Sequence, residues 1–322
     1  MKALVTGGAG FIGSHLCENL LEKKYKVYTI DNLSTGTIEN IRHLKKSQSF
    51  HFYMDDILNE KIMRNLIRKV DIVFHLAAAV GVKYILDNPL ESIKTNVRGT
   101  EIVLELANDL GKKKVFLAST SEIYGKDRNG AALFKETDDR LLGSTTKWRW
   151  SYSCTKALDE FLSQAYYRER KLPVVIGRFF NTCGPRQTGR YGMVIPRFIK
   201  QALLDKPITV YGDGKQTRCF LYIGDAIRAI TAIAEEKKAV GEIFNIGNPR
   251  SITIMELAEK IRKLTNSKSK IEFVPYEKAY ERGFEDMRHR KPDISKLKSF
   301  IKFSPSVGIE ELLKRTIKYF AG

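Results

Sequence analysis

The sequence predicts an α/β protein built on a doubly wound parallel sheet, with a smaller substrate-binding part interleaved in its second half. Three observations carry the prediction. Short β-branched or aromatic runs alternate with amphipathic segments through the first half, the pattern of parallel strands joined by helices. A glycine cluster, Gly7-Gly8-Ala9-Gly10-Phe11-Ile12-Gly13, falls where the first strand must turn into the first helix. Asp31 then closes the second strand, eighteen residues after the last of those glycines.

Residues 2–6 read as a short buried strand, and 14–23, with apolar Leu16, Leu20 and Leu21, as the helix after the glycines. Gly7 or Gly8 allows the tight turn, Gly10 lets a pyrophosphate approach the backbone, and Gly13 lets the helix pack on the strand. The helix N-terminus offers unpaired N–H groups and a positive dipole end to the phosphates. At the end of strand 26–30, the Asp31 carboxylate accepts from ribose hydroxyls and repels a 2′-phosphate, which favours NAD over NADP. This is the dinucleotide-binding arrangement of the Rossmann type. Residues 50–54, 71–76, 114–119 and 174–178 are further strands, and 91–110 and 152–170 are the long helices among them. Ligands of such sheets bind beyond the carboxyl ends of the strands.

After residue 182 the texture changes. The turn-rich stretch 183–189 leads to a helix over 193–204, a strand over 208–211 and Gly212-Asp213-Gly214. A last sheet strand over 242–246 returns to the first part, and 275–293, between Pro275 and Pro292, reads as an irregular charged loop. The expected division is an NAD-binding Rossmann domain over 1–182, with 221–246 returning to it, and a substrate-binding domain over 183–220 and 247–322.

With 322 residues and 43% apolar content, the chain has the make-up of one large or two modest globular domains. No apolar run is long enough to span a bilayer, and no leader pattern precedes the first strand. Cys17, Cys154, Cys183 and Cys219 lie far apart, which argues against zinc and against a disulfide framework and suits a reducing cytoplasm. The net charge of +18 is scattered in twos and threes over helix faces and turns, with no basic helix or aromatic-interleaved stripe. That distribution excludes nucleic acid as the expected partner and favours an anionic substrate.

Tyr152 and Lys156 stand four residues apart at a helix start, on one face and about 6 Å apart along the axis. A tyrosine, with a pKa near 10, is a poor base at neutral pH. A neighbouring ammonium and the positive nicotinamide ring both favour the phenolate. So tuned, Tyr152 can take a proton from a sugar hydroxyl while hydride leaves the same carbon. His75, at a strand end, reads as a packed or hydrogen-bonded histidine. Cys154 reads as packing, and Trp148 and Trp150 as anchors of the loop before the catalytic helix.

With these motifs the chain resembles the extended short-chain dehydrogenase/reductases, specifically the nucleotide-sugar epimerases, dehydratases and decarboxylases. The resemblance runs through Thr6 to Gly13, Asp31-Asn32-Leu33, Leu76-Ala77-Ala78, Ser119-Thr120-Ser121 and the Tyr152/Lys156 pair, and covers essentially the whole chain. It implies that Thr120 completes a triad with Tyr152 and Lys156, that Asp56 and Ile57 border the adenine, and that Lys156 also holds the nicotinamide ribose. The other cofactor contacts it implies are Gly7, Gly10, Phe11, Ile12, Gly13, Asp31, Asn32, Ser34, Thr35, Gly36, Leu76, Ala77, Ala78 and Asn96. It places Asn181, Tyr211 and Gln216 on the nucleotide sugar, with Arg218 and Arg290 or Arg288 on its two phosphates, for which guanidinium forks are well matched. A homodimer through the two long helices, with Val103, Leu106, Leu158, Phe161 and Leu162 among their apolar residues, is implied as well.

Two branches of the family compete for the substrate. Thr120-Ser121-Glu122-Ile123-Tyr124-Gly125 and Arg149-Trp150-Ser151-Tyr152 resemble UDP-glucuronate decarboxylases, in which residues at the positions of Glu122 and Arg290 act at the sugar. The stretch from Gly184 to Val194 and Ala78-Ala79-Val80-Gly81-Val82 resemble bacterial UDP-glucuronate 4-epimerases, which can share the Thr-Ser-Glu segment. A 4,6-dehydratase would use an Asp-Glu pair after the threonine, where Ser121-Glu122 stands here. The leading expectation is an NAD-dependent 4-epimerase converting UDP-glucuronate to UDP-galacturonate. Its alternatives are decarboxylation to UDP-xylose, epimerisation of a neutral UDP-hexose and a non-catalytic NAD-binding protein. Because the 4-keto uronate is a β-keto acid, an epimerase must hold its carboxylate away from the alignment that releases CO2. Arg190, helped by Thr182, is the candidate clamp.

Overall fold

Seven parallel strands form the central sheet of the computed structural model, which describes residues 1–126, 133–189, 193–279 and 288–322. The first half supplies β1 (Lys2–Thr6), α1 (Phe11–Glu22), β2 (Lys26–Ile30), β3 (Phe50–Tyr53), α2 (Glu60–Arg68), β4 (Ile72–His75), α3 (Val82–Asp87), α4 (Pro89–Asp109), β5 (Lys114–Thr120) and the short β6 (Leu133–Phe134). It ends with α5 (Ser151–Arg170), β7 (Val174–Phe179) and β8 (Thr182–Cys183). The second half adds α6 (Val194–Leu203), β9 (Ile208–Tyr211), β10 (Thr217–Cys219), β11 (Leu221–Tyr222), α7 (Ile223–Glu235) and β12 (Ile243–Ile246). Then follow β13 (Ser251–Thr253), α8 (Ile254–Leu264), β14 (Ile271–Val274), α9 (Tyr276–Ala279), β15 (Lys291–Pro292), α10 (Ser295–Ile301) and α11 (Ile309–Ala321).

The strand order is β12-β7-β5-β4-β1-β2-β3, every neighbouring pair parallel. The chain winds outward from β1 and then back across it to β4, which opens a crevice at the strands' carboxyl ends. Both faces of the sheet are covered. Ala3 and Val5 of β1 join the core shared with α1 and α7, whereas Leu4 joins the core shared with α2 and α4. Burial on both faces is why these strands read as continuous apolar runs rather than alternating ones. A third core gathers Ile195, Phe198 and Ile199 of α6, Ile208 and Val210 of β9, Leu257 and Ile261 of α8, and Leu312 and Leu313 of α11.

Several expectations change here. The tail 247–322, assigned whole to the sugar-binding part, divides: Ile294, Leu297 and Phe303 pack into the core beside α7 and β12. Within the segment 275–293, the described residues are not all irregular. Tyr276–Ala279 is a helical turn, and Lys291–Pro292 pairs in parallel with Leu133–Phe134, which carries Arg290 to the carboxyl end of the sheet. Of the helix residues tied to a dimer, Val103 and Leu106 are buried in the sheet's own core, while Leu158 and Phe161 are 50% and 68% exposed. Cys154 is exposed rather than packed. Among the described residues no helix is long and apolar enough to cross a membrane.

Candidate active site

A cleft of about 650 Å³ runs from the glycine turn, along the carboxyl ends of β1, β2, β4, β5 and β7, to the third core. Gly7 makes the tight turn with φ +73°. A Cβ on Gly13 would lie 2.1 Å from the Gly7 carbonyl oxygen, so only glycine lets α1 start this close to the turn. The first N–H groups of α1 have no helical acceptors and face the cleft, which Phe11, Ile12 and Gly13 line together with Gly7 and Gly10. This cradle fits a dinucleotide. Asp31 lines it too, its carboxylate accepting from Ala9 N at 2.9 Å and Leu33 N at 2.8 Å. Burial raises the Asp31 pKa, against the pull of the Leu33, Ala9 and Gly10 N–H groups. Asn32, Ser34, Thr35, Ile57, Leu76, Ala77 and Ala78 line the same end, and Asn181, Tyr211, Gln216, Arg218 and Arg290 the other.

Five predicted contacts do not line the cleft. Asp56 accepts from Asn32 Nδ2 at 2.7 Å and from Leu58 N, and its neighbour Asp55 takes the place expected for it. Gly36 packs on the backbone of Ala9 and Gly10, where a Cβ would collide. Asn96 is a buried bracket: its side chain accepts from Ala79 N and donates to Ala79 O, which shapes the adjoining cleft wall. Arg288 is exposed and pairs with Asp213 at 3.0 Å, so of the two arginines only Arg290 reaches the site. Lys156, the fifth, lies beneath the cleft and donates to Asp159 at 2.9 Å. Arg190 lies outside the described residues. Thr182 lines the cleft with a buried Oγ1 that has no hydrogen-bond partner among the described residues.

Thr120 ends β5, and its hydroxyl both caps the helical turn Ser121–Tyr124 and hydrogen-bonds the Tyr152 phenol. Burial, then the Glu122 and Asp159 carboxylates, raises the Tyr152 pKa well above the ordinary range. The expected picture, in which the Lys156 ammonium and the nicotinamide ring draw the phenol toward phenolate, thus gains burial and two carboxylates acting in the opposite sense. Glu122 is gripped from two sides. Arg290 Nη2 donates to Oε1 at 2.6 Å and Arg149 Nη2 to Oε2 at 3.3 Å, with Arg290 Nη1 also on Ser121 Oγ at 3.4 Å. Burial raises the Glu122 pKa, but Arg290 and Arg149 outweigh it and hold the carboxyl below its usual value. Two guanidiniums on one carboxylate leave a net cation at this end, and Arg218 adds to the field.

Sequence reasoning missed the support beneath these groups. Arg178 of β7 forks onto Glu160 of α5 through two bonds of 2.9 and 2.7 Å, and Ser119 of β5 bonds the same carboxylate. Arg178 also reaches the Tyr124 hydroxyl at 2.9 Å, which donates to Asn245 Oδ1 at 2.6 Å; Asn245 in turn donates to the Phe134 and Asp293 carbonyls. The network ties β5, α5 and β7 to the β6–β15 pair that carries Arg290. His75 is held between Thr6 and Thr100, and burial, then Lys156, lowers its pKa to about 3.

A dinucleotide cradle at the switch point of a parallel sheet, with a threonine, a tyrosine and a lysine where its carboxyl ends meet a second core, defines an extended short-chain dehydrogenase/reductase of the nucleotide-sugar epimerase and dehydratase group. The family model described as GDP-mannose 4,6 dehydratase matches residues 4–316, and the chain belongs to that family. It is 47% identical over 320 residues to a UDP-N-acetyl-alpha-D-glucosaminuronate decarboxylase of Bacillus cytotoxicus, covering 99% of this chain and 97% of the relative. It is 37% identical over 324 residues to a UDP-glucuronate 4-epimerase of Thermodesulfobacterium geofontis, covering 98% and 95%. The structure of a UDP-glucuronic acid 4-epimerase from Bacillus cereus, in complex with UDP-glucuronic acid and NAD, superposes with a TM-score of 0.89 at 34% identity, over 100% of this chain and 99% of that one.

Proposed function

We propose that the chain is an NAD-dependent UDP-hexuronate decarboxylase, acting on UDP-glucuronate or its 2-acetamido counterpart through a 4-keto sugar. The observation that carries this reading is Glu122 fixed between Arg290 and Arg149 beside Thr120 and Tyr152. An epimerase must let the 4-keto sugar turn over while holding its carboxylate away from the alignment that releases CO2. Glu122, locked by two guanidiniums, instead places a fixed negative charge that opposes a stable hold on that carboxylate. A relative at 47% identity over nearly its whole length is named as a decarboxylase, which supports the same reading. A second reading, 4-epimerisation of UDP-glucuronate, rests on the epimerase relative and on the fold shared with the UDP-glucuronate-bound structure.

NAD held along the glycine turn supplies a reversible hydride acceptor for C4 of the sugar. Tyr152 takes the proton of the C4 hydroxyl, and Thr120 holds the oxygen as it becomes a carbonyl. The excess cation at Arg149, Arg290 and Arg218 receives the uronate, while the fixed negative charge of Glu122 opposes a carboxylate placed against it. The bond from C5 to the carboxylate breaks, CO2 leaves, and its electron pair passes into an enolate whose oxygen faces Thr120 and Tyr152. A solvent proton at C5 restores the ketone. With the ketone reduced again by that reversible hydride carrier, Tyr152 would give its proton back to the C4 oxygen and complete the pentose. NMR of the products from UDP-glucuronate and UDP-N-acetylglucosaminuronate tests the assignment. CO2 with a UDP-pentose is expected; UDP-galacturonate or its 2-acetamido counterpart as the main product selects the epimerase reading.

Cofactor choice gives a further expectation. Asp31→Asn keeps one of the two oxygens that accept from Ala9 and Leu33 and removes the charge, so the preference for NAD over NADP should narrow by about tenfold. Titrations of the two cofactors measure it, and a wild type that binds NADP more tightly rejects the role given to Asp31.

A further inference from the structure

Asp159 has no part in holding the nucleotide or the sugar, yet it lies directly under the catalytic pair. It stands two turns beyond Tyr152 and one beyond Lys156 on α5, so the three side chains share a helix face. The Lys156 and Asp159 side chains are 3% and 1% exposed, with Nζ and Oδ2 2.9 Å apart. Removing one member of such a pair leaves an uncompensated ion in the interior. The ammonium has three donors, and the one directed at Asp159 fixes where the other two point.

We propose that Asp159 is a positioning residue of the reaction: it anchors the Lys156 ammonium and, through the joint charge of the pair, governs when Tyr152 serves as a base. The inference rests on Tyr152 being the base of the C4 oxidation, whichever product follows. An ammonium alone would draw the phenol toward phenolate; a carboxylate bound to that ammonium offsets the pull. The burial and the two carboxylates that keep the proton on Tyr152 act in the same sense, Asp159 being one of the two. Among the other groups facing this spot, the Glu122 carboxylate acts on the phenol in the same sense and ahead of Asp159, but Asp159 is the carboxylate paired with Lys156. Glu122, from the turn after β5, is matched by Arg290 and Arg149. His75, from β4, is neutral across the working range. Glu160, on α5 itself, is matched by Arg178 of β7. The adjacent residues of α4, Asn96 and Thr100, are uncharged.

Asp159→Asn keeps the shape and a hydrogen-bond acceptor while removing the charge. The acid limb of kcat/KM should move to lower pH by about one unit, because both the lost carboxylate and the unmasked ammonium favour the phenolate. A second reading needs no turnover. The 13Cζ resonance of Tyr152, assigned by its absence in Tyr152→Phe, should begin to titrate at lower pH in Asp159→Asn than in the wild type, in NAD-free and in NAD-loaded protein. Asp159→Glu, which retains the charge, should keep the wild-type limb. A folded Asp159→Asn protein with an unmoved limb and an unmoved resonance overturns the proposal. So does loss of the fold in both Asp159→Asn and Asp159→Ser while Asp159→Glu behaves as wild type, which would make the residue a stability element. Wild-type protein inactive on both UDP-uronates would remove the proposed function, and the tyrosine titration would then decide Asp159 by itself.

Discussion

Tyr152→Phe is expected to lower turnover by at least ~100-fold while NAD and the UDP-sugar still bind. The substitution keeps the ring that fills this wall of the cleft and removes the phenol oxygen proposed to carry the C4 proton. Thr120, left without its phenol partner, retains the backbone bond that caps the turn Ser121–Tyr124, so the fold should be unaffected. Single-turnover formation of reduced cofactor, followed by absorbance, isolates the oxidation from later steps. Wild-type rates in the variant would take Tyr152 out of the mechanism.

Arg290→Ala should cost a comparable ~100-fold or more in decarboxylation, the scale seen when a charge-assisted donor is removed from a reacting site. Glu122 would keep Arg149 but lose its shorter bond, and its carboxyl pKa would rise toward the ordinary value. The affinity for UDP separates two roles. Arg290 contacts Glu122 and Ser121, so on the proposed reading it serves the sugar and UDP binding should change little. A loss of UDP affinity as large as the loss of turnover would return Arg290 to the diphosphate, the place first expected for it.

How legible these features were depended on the distance over which each is decided. The turn at Gly7, the helix after it and the acid at Asp31 are set within thirty residues, and the sheet strands by their own apolar runs, so they read directly. The grip on Glu122 brings Arg290 from 168 residues away through a two-residue strand pair, and no local pattern announces that. Asn96 is a cofactor contact only by family resemblance; its partner here is a backbone segment that only the fold puts beside it. Asp159 is a different case. Its i, i+3 spacing from Lys156 was open to inspection, but the spacing acquires meaning only once that helix face is known to be buried.

The strand order also matters before the protein is complete. On the ribosome, β7 emerges long before β12, its outer neighbour, because the excursion through β9 and α6 comes between them. Until Ile246 has been made, the nascent sheet carries an open backbone edge along Ile176, Gly177, Arg178 and Phe179, the residues that β12 later pairs with. At about 5–20 residues per second that edge stays unpaired for several seconds of synthesis. Chaperone occupancy during translation should therefore be concentrated in this interval, and early termination before residue 243 should yield an aggregating fragment rather than a smaller nucleotide-binding protein.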